Sequence, residues 1–325
     1  MPSSDVHATR RAFVFAVTLV AAACCGGSAR AQTTARGFAV DRLYASAPGG
    51  GWFVMDALDM HGGLGGALSF SLGYAGNPLV VRDGGQRLAV VSDEASADFG
   101  FAITYQRWRF YINLDLPLAT LGQSGAIDGY VITAPSVTLG SHPDSVADAR
   151  IGVDVRLYGA PGGRLRLGAS AQLFVPNGYR ADYDSDDTFR GMVRALAAGD
   201  CGRFVYAAQL GVHIRPLDDV ALPGYPRGSE LLFGVAGGVK LPLGRRPLVV
   251  IIGPEVFGAS AFRAFFGAQT TALEALAGAR LEGTGDRGLQ WRAKLGIGGG
   301  LDARFGAPEW RIVAGIEIFD HRAAH

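Results

Sequence analysis

Strict alternation of polar and apolar residues is the feature that most constrains the fold of this 325-residue chain. Between 148 and 157, aspartate and arginine alternate with alanine, isoleucine, valine and leucine, and a similar pattern returns between 164 and 173. Because successive side chains of a strand point to opposite faces, a period of two indicates one wet face and one apolar face. About ten such runs predict an all-β protein, a transmembrane antiparallel up-and-down β-barrel whose apolar face meets lipid.

The first 31 residues have the three parts of a secretory signal peptide. Arg10 and Arg11 precede an apolar stretch over 12–25, and an Ala-Arg-Ala sequence ends at Ala31. A basic start, a short apolar core and an Ala-x-Ala exit predict cleavage after Ala31. The alternative is a lipoprotein acylated at Cys24, but the leucine usually found three residues earlier is absent.

Charge and cysteine content exclude two classes of protein. Removal of residues 1–31 would leave 27 basic and 28 acidic residues, with Cys201 as the single cysteine. A balanced charge gives no electrostatic reason to bind nucleic acid. One cysteine cannot form an internal disulfide. We therefore expect an exported protein with neither a nucleic-acid partner nor a disulfide framework.

The segments between the alternating runs are short and long in turn. Short turns are expected near 106–107, 159–163, 200–202, 242–246 and 283–287, and long connections at 118–147, 176–187, 215–228 and 258–270. Bacterial outer-membrane barrels have short periplasmic turns and longer external loops, and the alternation therefore orients the chain. A long hairpin around Asp83 gives twelve strands, and insertion of 52–58 with one further crossing would give fourteen.

This interpretation divides the chain into four parts and places the protein in the cell outer membrane as a monomer. They are a signal peptide (1–31), an N-terminal periplasmic segment (32–63), the barrel (64–319) and a short C-terminal tail (320–325).

Three tryptophans bear on the choice between a membrane barrel and a soluble sheet. Trp108, Trp291 and Trp310 lie at or near the starts of predicted strands on the apolar row, as expected of interface aromatics in a membrane. The alternative is a secreted or surface-attached β-sandwich binding module with these rings in its core. The arginines and acids of the opposite face favour the barrel, because they suit a lumen.

The polar face would enclose a lumen with charges of both signs. The side chains predicted to face it are Asp148, Arg150, Asp154, Arg156, Arg164, Arg166, His213, Glu274, Glu282, Arg292 and Lys294. Such charges can pair and close the interior or line a narrow water-filled path, so a structural barrel and a narrow passive channel both remain open. Gly296, Gly298 and Gly300 share this face, and glycine inside a strand indicates that something passes closely.

Catalytic and metal sites are weakly represented. His213 is the one histidine on a predicted lumen face, and no Gly-x-Ser-x-Gly motif accompanies it. We therefore expect neither an enzyme nor a cofactor. Asp182, Asp184 and Asp186 resemble the opening of a calcium loop, but Asp187 and Val193 replace its sixth-position glycine and twelfth-position glutamate. A solvated acidic loop that binds calcium loosely is the preferred interpretation.

Several short motifs follow one another in the order of a known family. They are Trp52-Phe53 with Leu58-Asp59, Asn77-Pro78-Leu79, Asp148-Ala149-Arg150, Pro176-Asn177-Gly178, Gly253-Pro254-Glu255, and Thr270-Thr271 with Glu274 and Gly278. From Trp52 to Phe319 the chain thereby resembles the barrel module of OmpA-family outer-membrane proteins. The resemblance implies outer-membrane lipid as a partner and insertion by the barrel assembly machinery. Many members carry a peptidoglycan-binding domain after the barrel, and with six residues after the last predicted strand no such anchor is expected here.

Overall fold

The computed structural model describes residues 33–60, 62–217, 228–244, 248–267, 269–285, 289–302 and 306–323. The predicted signal peptide, 1–31, lies outside the described residues. Among the residues that are described, no helix is both long and apolar enough to cross a bilayer.

Twelve long antiparallel strands form a closed barrel. They are β2 (Gly62–Asp83), β3 (Gln86–Tyr105), β4 (Trp108–Leu121), β8 (Ala149–Tyr158), β9 (Arg166–Val175), β10 (Arg190–Cys201), β11 (Phe204–Ile214), β12 (Glu230–Pro242), β13 (Leu248–Ala261), β14 (Thr271–Thr284), β15 (Gln290–Asp302) and β16 (Trp310–Ala323). Each pairs with its neighbour in this order, and β16 pairs with β2 to close the ring. The prediction of twelve strands is confirmed, and the fourteen-strand alternative is wrong because 52–58 forms no strand.

Short elements complete the described chain. They are β1 (Thr33–Thr34), β5 (Gly125–Ile127), β6 (Tyr130–Ile132), β7 (Ser136–Thr138) and two 3-10 turns, Arg180–Asp182 and Phe262–Ala264. β5 pairs with β6, and β7 extends the edge of β4 in the long connection that precedes β8.

The two ends of the barrel differ in the length of their connections. At one end, here called the short-turn end, Gln106 takes φ of +53° in a two-residue turn, and Tyr105 pairs directly with Trp108. At the other, the long-loop end, 122–148 and 176–189 connect strands, and β2 and β3 extend together to a hairpin at Gly84-Gly85. The short turn expected near 106–107 is therefore a tight hairpin.

The apolar row of each strand faces outward. On β15, Leu295 and Ile297 are 60% and 59% exposed, whereas Arg292 on the opposite row is 5% exposed. A soluble sandwich would bury the first pair and hydrate the arginine. The sandwich alternative is therefore wrong, and the barrel has an apolar outer wall and a polar inner wall.

Residues 35–60, here called the lumen segment, lie inside the barrel. The sequence-based division placed 32–63 in the periplasm, and the structure corrects this. The segment carries Phe38, Met55, Leu58 and Met60, each fully buried, so it needs an apolar seat that open solvent cannot provide. The barrel also exceeds its predicted bounds, because β2 begins at Gly62 and β16 continues into the predicted tail as far as Ala323.

Candidate functional site: the occupied lumen

The lumen segment runs the length of the barrel. Near its start the Ala35 amide donates to the Val131 carbonyl, in the hairpin of β5 and β6 at the long-loop end. Near its finish the Asp59 carboxylate accepts from the Gly162 amide, at 3.2 Å, in the turn between β8 and β9. One peptide therefore fills the path between the two ends.

Inward-facing glycines make room for the bulky side chains of this segment. A methyl group on Gly296 would lie 2.7 Å from the Phe53 ring. A methyl group on Gly234 would clash with the end of the Met55 side chain. Three further glycine contacts repeat the arrangement: Gly168 with Leu58, Gly238 with Trp52, and Gly278 with Phe53. Packed interiors leave little space around each side chain. The absence of side chains at these glycines therefore creates the space that the lumen segment occupies. They also explain one glycine that the sequence left on the polar face, Gly296.

Glu255 of β13 anchors the backbone of the segment. Its carboxylate, 2% exposed, accepts hydrogen bonds from the amides of Phe53, Val54 and Met55 at 2.7, 3.0 and 3.3 Å. Successive amides that converge on one carboxylate form an anion-binding nest, and charge-assisted bonds of this kind are stronger than neutral ones.

Buried ion pairs join the segment to the inner wall at both ends. Arg42 contacts Glu230 at 2.9 Å, and Asp41 contacts Arg311 at 2.6 Å, both toward the long-loop end. Toward the short-turn end, Asp56 pairs with Arg109, which also contacts Asp154 at 2.6 Å. Buried pairs add little net stability, but removal of one partner costs about 3–5 kcal/mol, so they fix the register of the segment.

Other wall charges pair with one another. Arg292 and Lys294 share Glu317 at 2.6 and 2.7 Å, and Arg292 also contacts Glu282. Arg190 contacts Asp148 at 2.8 Å. Each of these charged side chains of the inner wall is therefore paired with an opposite charge.

The structure places ten of the eleven predicted lumen residues inside. They are Asp148, Arg150, Asp154, Arg156, Arg166, His213, Glu274, Glu282, Arg292 and Lys294. The exception is Arg164, which is exposed in the turn before β9 because the strand begins at Arg166 and the alternation extends beyond it. Sequence reasoning missed the partners of the lumen segment, above all Arg109, Glu255 and Arg311, although their wall positions follow from the same period of two.

His213 is fully buried and packs against the lumen segment. Its Nδ1 lies 3.2 Å from the Tyr44 hydroxyl, and the rings of His213, Tyr44 and Phe174 all contact one another. Serine and cysteine, the usual nucleophiles paired with histidine, are absent from these contacts, so the geometry is that of a packed aromatic residue.

Two of the three aspartates of the predicted calcium loop, Asp184 and Asp186, bind different partners. Asp186 binds Arg215 at 2.7 Å and accepts from the Ala39 amide, whereas Asp184 accepts from the Tyr179 amide. Burial opposes ionisation of Asp186, but Arg215 outweighs it and lowers the pKa of that carboxyl. Within the part of the chain that the structure describes, no three His, Cys, Asp or Glu side chains are grouped to hold a metal ion.

The interface tryptophans lie at both ends of the wall. Trp108 and Trp310 are each 44% exposed, at the short-turn and long-loop ends respectively. Trp291 is partly exposed near the short-turn end and lies over Gly283.

Cys201 is exposed at the same end with a free thiol.

The chain matches neither a protein-family model nor a curated protein. Solved structures do match. An outer-membrane channel of Pseudomonas putida F1 has a TM-score of 0.50 and 11% identity over 79% of this chain and 95% of that chain. The monoaromatic hydrocarbon channel CymD has a TM-score of 0.43 and 10% identity over 88% and 100%. LpxR from Salmonella typhimurium has a TM-score of 0.38 and 10% identity over 79% and 100%. At such identities the likeness shows the fold alone, that of outer-membrane β-barrels.

Proposed function

We propose that the protein is an integral outer-membrane barrel of the passive-channel class, closed in this conformation by its own lumen segment. The glycine-lined inner wall carries the proposal. A small structural barrel fills its interior with its own wall side chains. Here Gly234, Gly278 and Gly296 leave that space to Met55 and Phe53 of a separate segment. Departure of the segment would leave a narrow water-filled path.

The proposed path has a mixed-charge lining. Arg109, Glu230 and Arg311 lose a partner when the lumen segment leaves, and they then face water together with Glu317 and its cations. Selectivity of such a path follows the balance of its charges. Because acids and bases alternate along the wall, we expect weak selectivity between anions and cations.

The orientation follows from the connections. Outer-membrane barrels keep short turns in the periplasm and long loops outside. The short-turn end would then face the periplasm, with Trp108 and Trp291 at the inner interface and Trp310 at the outer one. Lipid covers the apolar wall, and the signal peptide that directs export is cleaved after Ala31.

The finer sequence-based interpretations belong to the same proposal. Relation to the OmpA-family barrel module, insertion by the barrel assembly machinery and a monomeric state are supported by the barrel fold and by the motifs named above. A role without catalysis or cofactor is supported by the packing of His213 against Tyr44 and Phe174.

Single-channel recording in planar bilayers tests the function. The intact protein, folded in detergent, should be silent or open rarely. A variant lacking 35–60 should conduct continuously, and Phe53→Ala/Met55→Ala should open more often than the parent. Leu139→Ala, at a 56%-exposed loop position, is the matched control and should behave as the parent.

Heat-modifiable migration in mild detergent establishes that each variant retains a closed barrel. If folded protein without 35–60 gave no conductance steps, the channel proposal would fail and a structural barrel would replace it.

A further inference from the structure

A cavity of about 100 Å³ lies at the long-loop end, between the lumen segment, the inner faces of β2 to β4 and the loop after β9. One water needs about 10–15 Å³ of such volume, so this cavity accommodates a larger guest. Tyr44 and Phe174 contribute aromatic rings to its lining, and Val313 contributes an apolar surface.

The charges around this cavity do not balance. Six carboxylates line it, with three guanidinium groups. Each guanidinium group has a carboxylate partner in the lining: Arg311 with Asp41 at 2.6 Å, Arg190 with Asp148 at 2.8 Å, and Arg150 with Asp98 at 3.9 Å. The carboxylates left over are those of Glu94, Asp115 and Asp184, for which the described residues provide no ion pair.

The same side chains have buried oxygens without hydrogen-bond partners among the described residues. They are Glu94 Oε2, Asp115 Oδ1 and Asp184 Oδ2. Asn113 supplies an independent fourth acceptor, because its side chain is 2% exposed, its Nδ2 donates to Asp98, and its Oδ1 is unpartnered. A buried acceptor without a donor is costly, so four of them around one cavity indicate a guest that donates.

Asp184, the one of these carboxylates that lies in a loop outside the barrel wall, has a raised pKa. Burial, reinforced by the neighbouring charges of Asp182 and Asp148, raises the pKa of Asp184 to about 7. A bound cation would relieve both causes, since it supplies an opposite charge and a hydrogen-bond donor.

Metal and organic cations make different demands on such a lining. A metal ion needs several oxygens close together, and no three acidic, histidine or cysteine side chains in the described ranges are grouped that way. An ammonium head donates N–H hydrogen bonds, for which two neighbouring acceptors suffice, and is attracted to aromatic faces. We propose that this cavity binds a small primary-amine cation, with Asp115 and Asn113, two residues apart on the inner face of β4, as acceptors for its N–H groups. The site does not depend on conduction by the barrel.

Isothermal titration of the folded full chain in detergent with n-butylammonium chloride at pH 8 tests the site. We expect saturable one-to-one binding, weakened at least tenfold by Asp115→Asn and by Asn113→Ala. Either variant decides the question if the other fails to show heat-modifiable migration. Asp83→Asn, in the exposed tip of the β2 and β3 hairpin, is the matched control and should leave binding unchanged.

Two further probes separate the ligand classes. Tetramethylammonium has the charge but no N–H group, and should bind at least tenfold more weakly than butylammonium. Absence of saturable butylammonium binding, equal weakening by Asp83→Asn, or tighter binding of calcium at the same residues would each overturn the proposal. Because the readout is heat of binding rather than current, its failure is distinguishable from failure of the channel function.

Discussion

Phe53 of the lumen segment lies so close to Gly296 of β15 that any side chain at position 296 would displace its ring. The contact distance for an added methyl group is 2.7 Å, and the nearest ring atoms also lie within 3.3 Å. Wall and segment are therefore complementary in shape. Substitution of Gly296 alters the wall alone, and substitution of Phe53 alters the lumen segment alone.

Gly296→Ala should loosen the lumen segment. Overpacking of a filled site costs about 1–3 kcal/mol, equivalent to about 5- to 150-fold faster local opening. Amide hydrogen exchange of Phe53, Val54 and Met55 measures this directly, because these amides are held by Glu255. The double variant Gly296→Ala/Phe53→Leu should recover slow exchange.

Gly191→Ala on β10 is the control for that pair, since an added methyl group there meets nothing within 4 Å. Equal exchange rates in Gly296→Ala and Gly191→Ala would show that the glycine seat does not hold the segment.

Glu255→Gln should increase the frequency of channel opening. The amide keeps one acceptor oxygen but loses the negative charge, and its NH₂ group faces the backbone donors of Val54 and Met55. Loss of charge-assisted bonds costs at least about 1.5 kcal/mol, which corresponds to about tenfold more openings. Single-channel records measure the frequency, with Glu309→Gln as the control because that carboxylate binds exposed arginines in the long-loop region. Unchanged opening would mean that the nest contributes nothing to closure.

The sequence predicted the wall far better than its contents. Alternation depends only on the period of a strand, so the twelve strands and the hairpin at 106–107 followed from local pattern. The lumen segment has no period, and its burial depends on wall glycines more than 100 positions away in the sequence, such as Gly168 for Leu58. The apolar run Trp52 to Met55 and the inward glycines were the available signals, but no local rule pairs them.

Particular charges show the same limit. Arg164 continues the alternation of β9 in sequence but lies in the preceding turn, because hydrogen bonding rather than pattern decides where a strand begins. Asp184 and Asp186 are two residues apart, yet one lines a cavity and the other binds Arg215. Residue type gave the charge of each group, whereas the partner depended on loop geometry.

The loop that carries Asp184 and Asp186 should be most rigid near about pH 4. Burial raises the pKa of Asp184 to about 7, so its stabilising contribution is fully present below the ordinary aspartate value and is lost as pH rises from there to about 7. The pKa of Asp186 is lowered by Arg215 despite burial, so its contribution is present above the ordinary aspartate value and lost as pH falls below it.

Hydrogen exchange over 179–187, corrected for intrinsic rates, measures this dependence. Exchange should accelerate from pH 5 to pH 7 in the parent protein, and Asp184→Asn should remove the acceleration. Asp144→Asn, at an exposed position in the neighbouring long connection, should retain it. A parent profile that is flat across this range would contradict the assignment to Asp184.

Val235→Arg should destabilise the barrel strongly if the outer wall faces acyl chains. Val235 lies midway along β12 and is 58% exposed on the apolar face. Arginine on the lipid face costs about 2–4 kcal/mol near the bilayer midplane and about 0–1 kcal/mol near an interface. Leu243→Arg, at an exposed position just after the same strand, is therefore the matched control and should cost little. Denaturant unfolding in lipid vesicles, followed by tryptophan fluorescence, gives both free energies. Equal costs at the two positions would show that depth in a bilayer does not govern this face, and the membrane orientation proposed for the barrel would then be wrong.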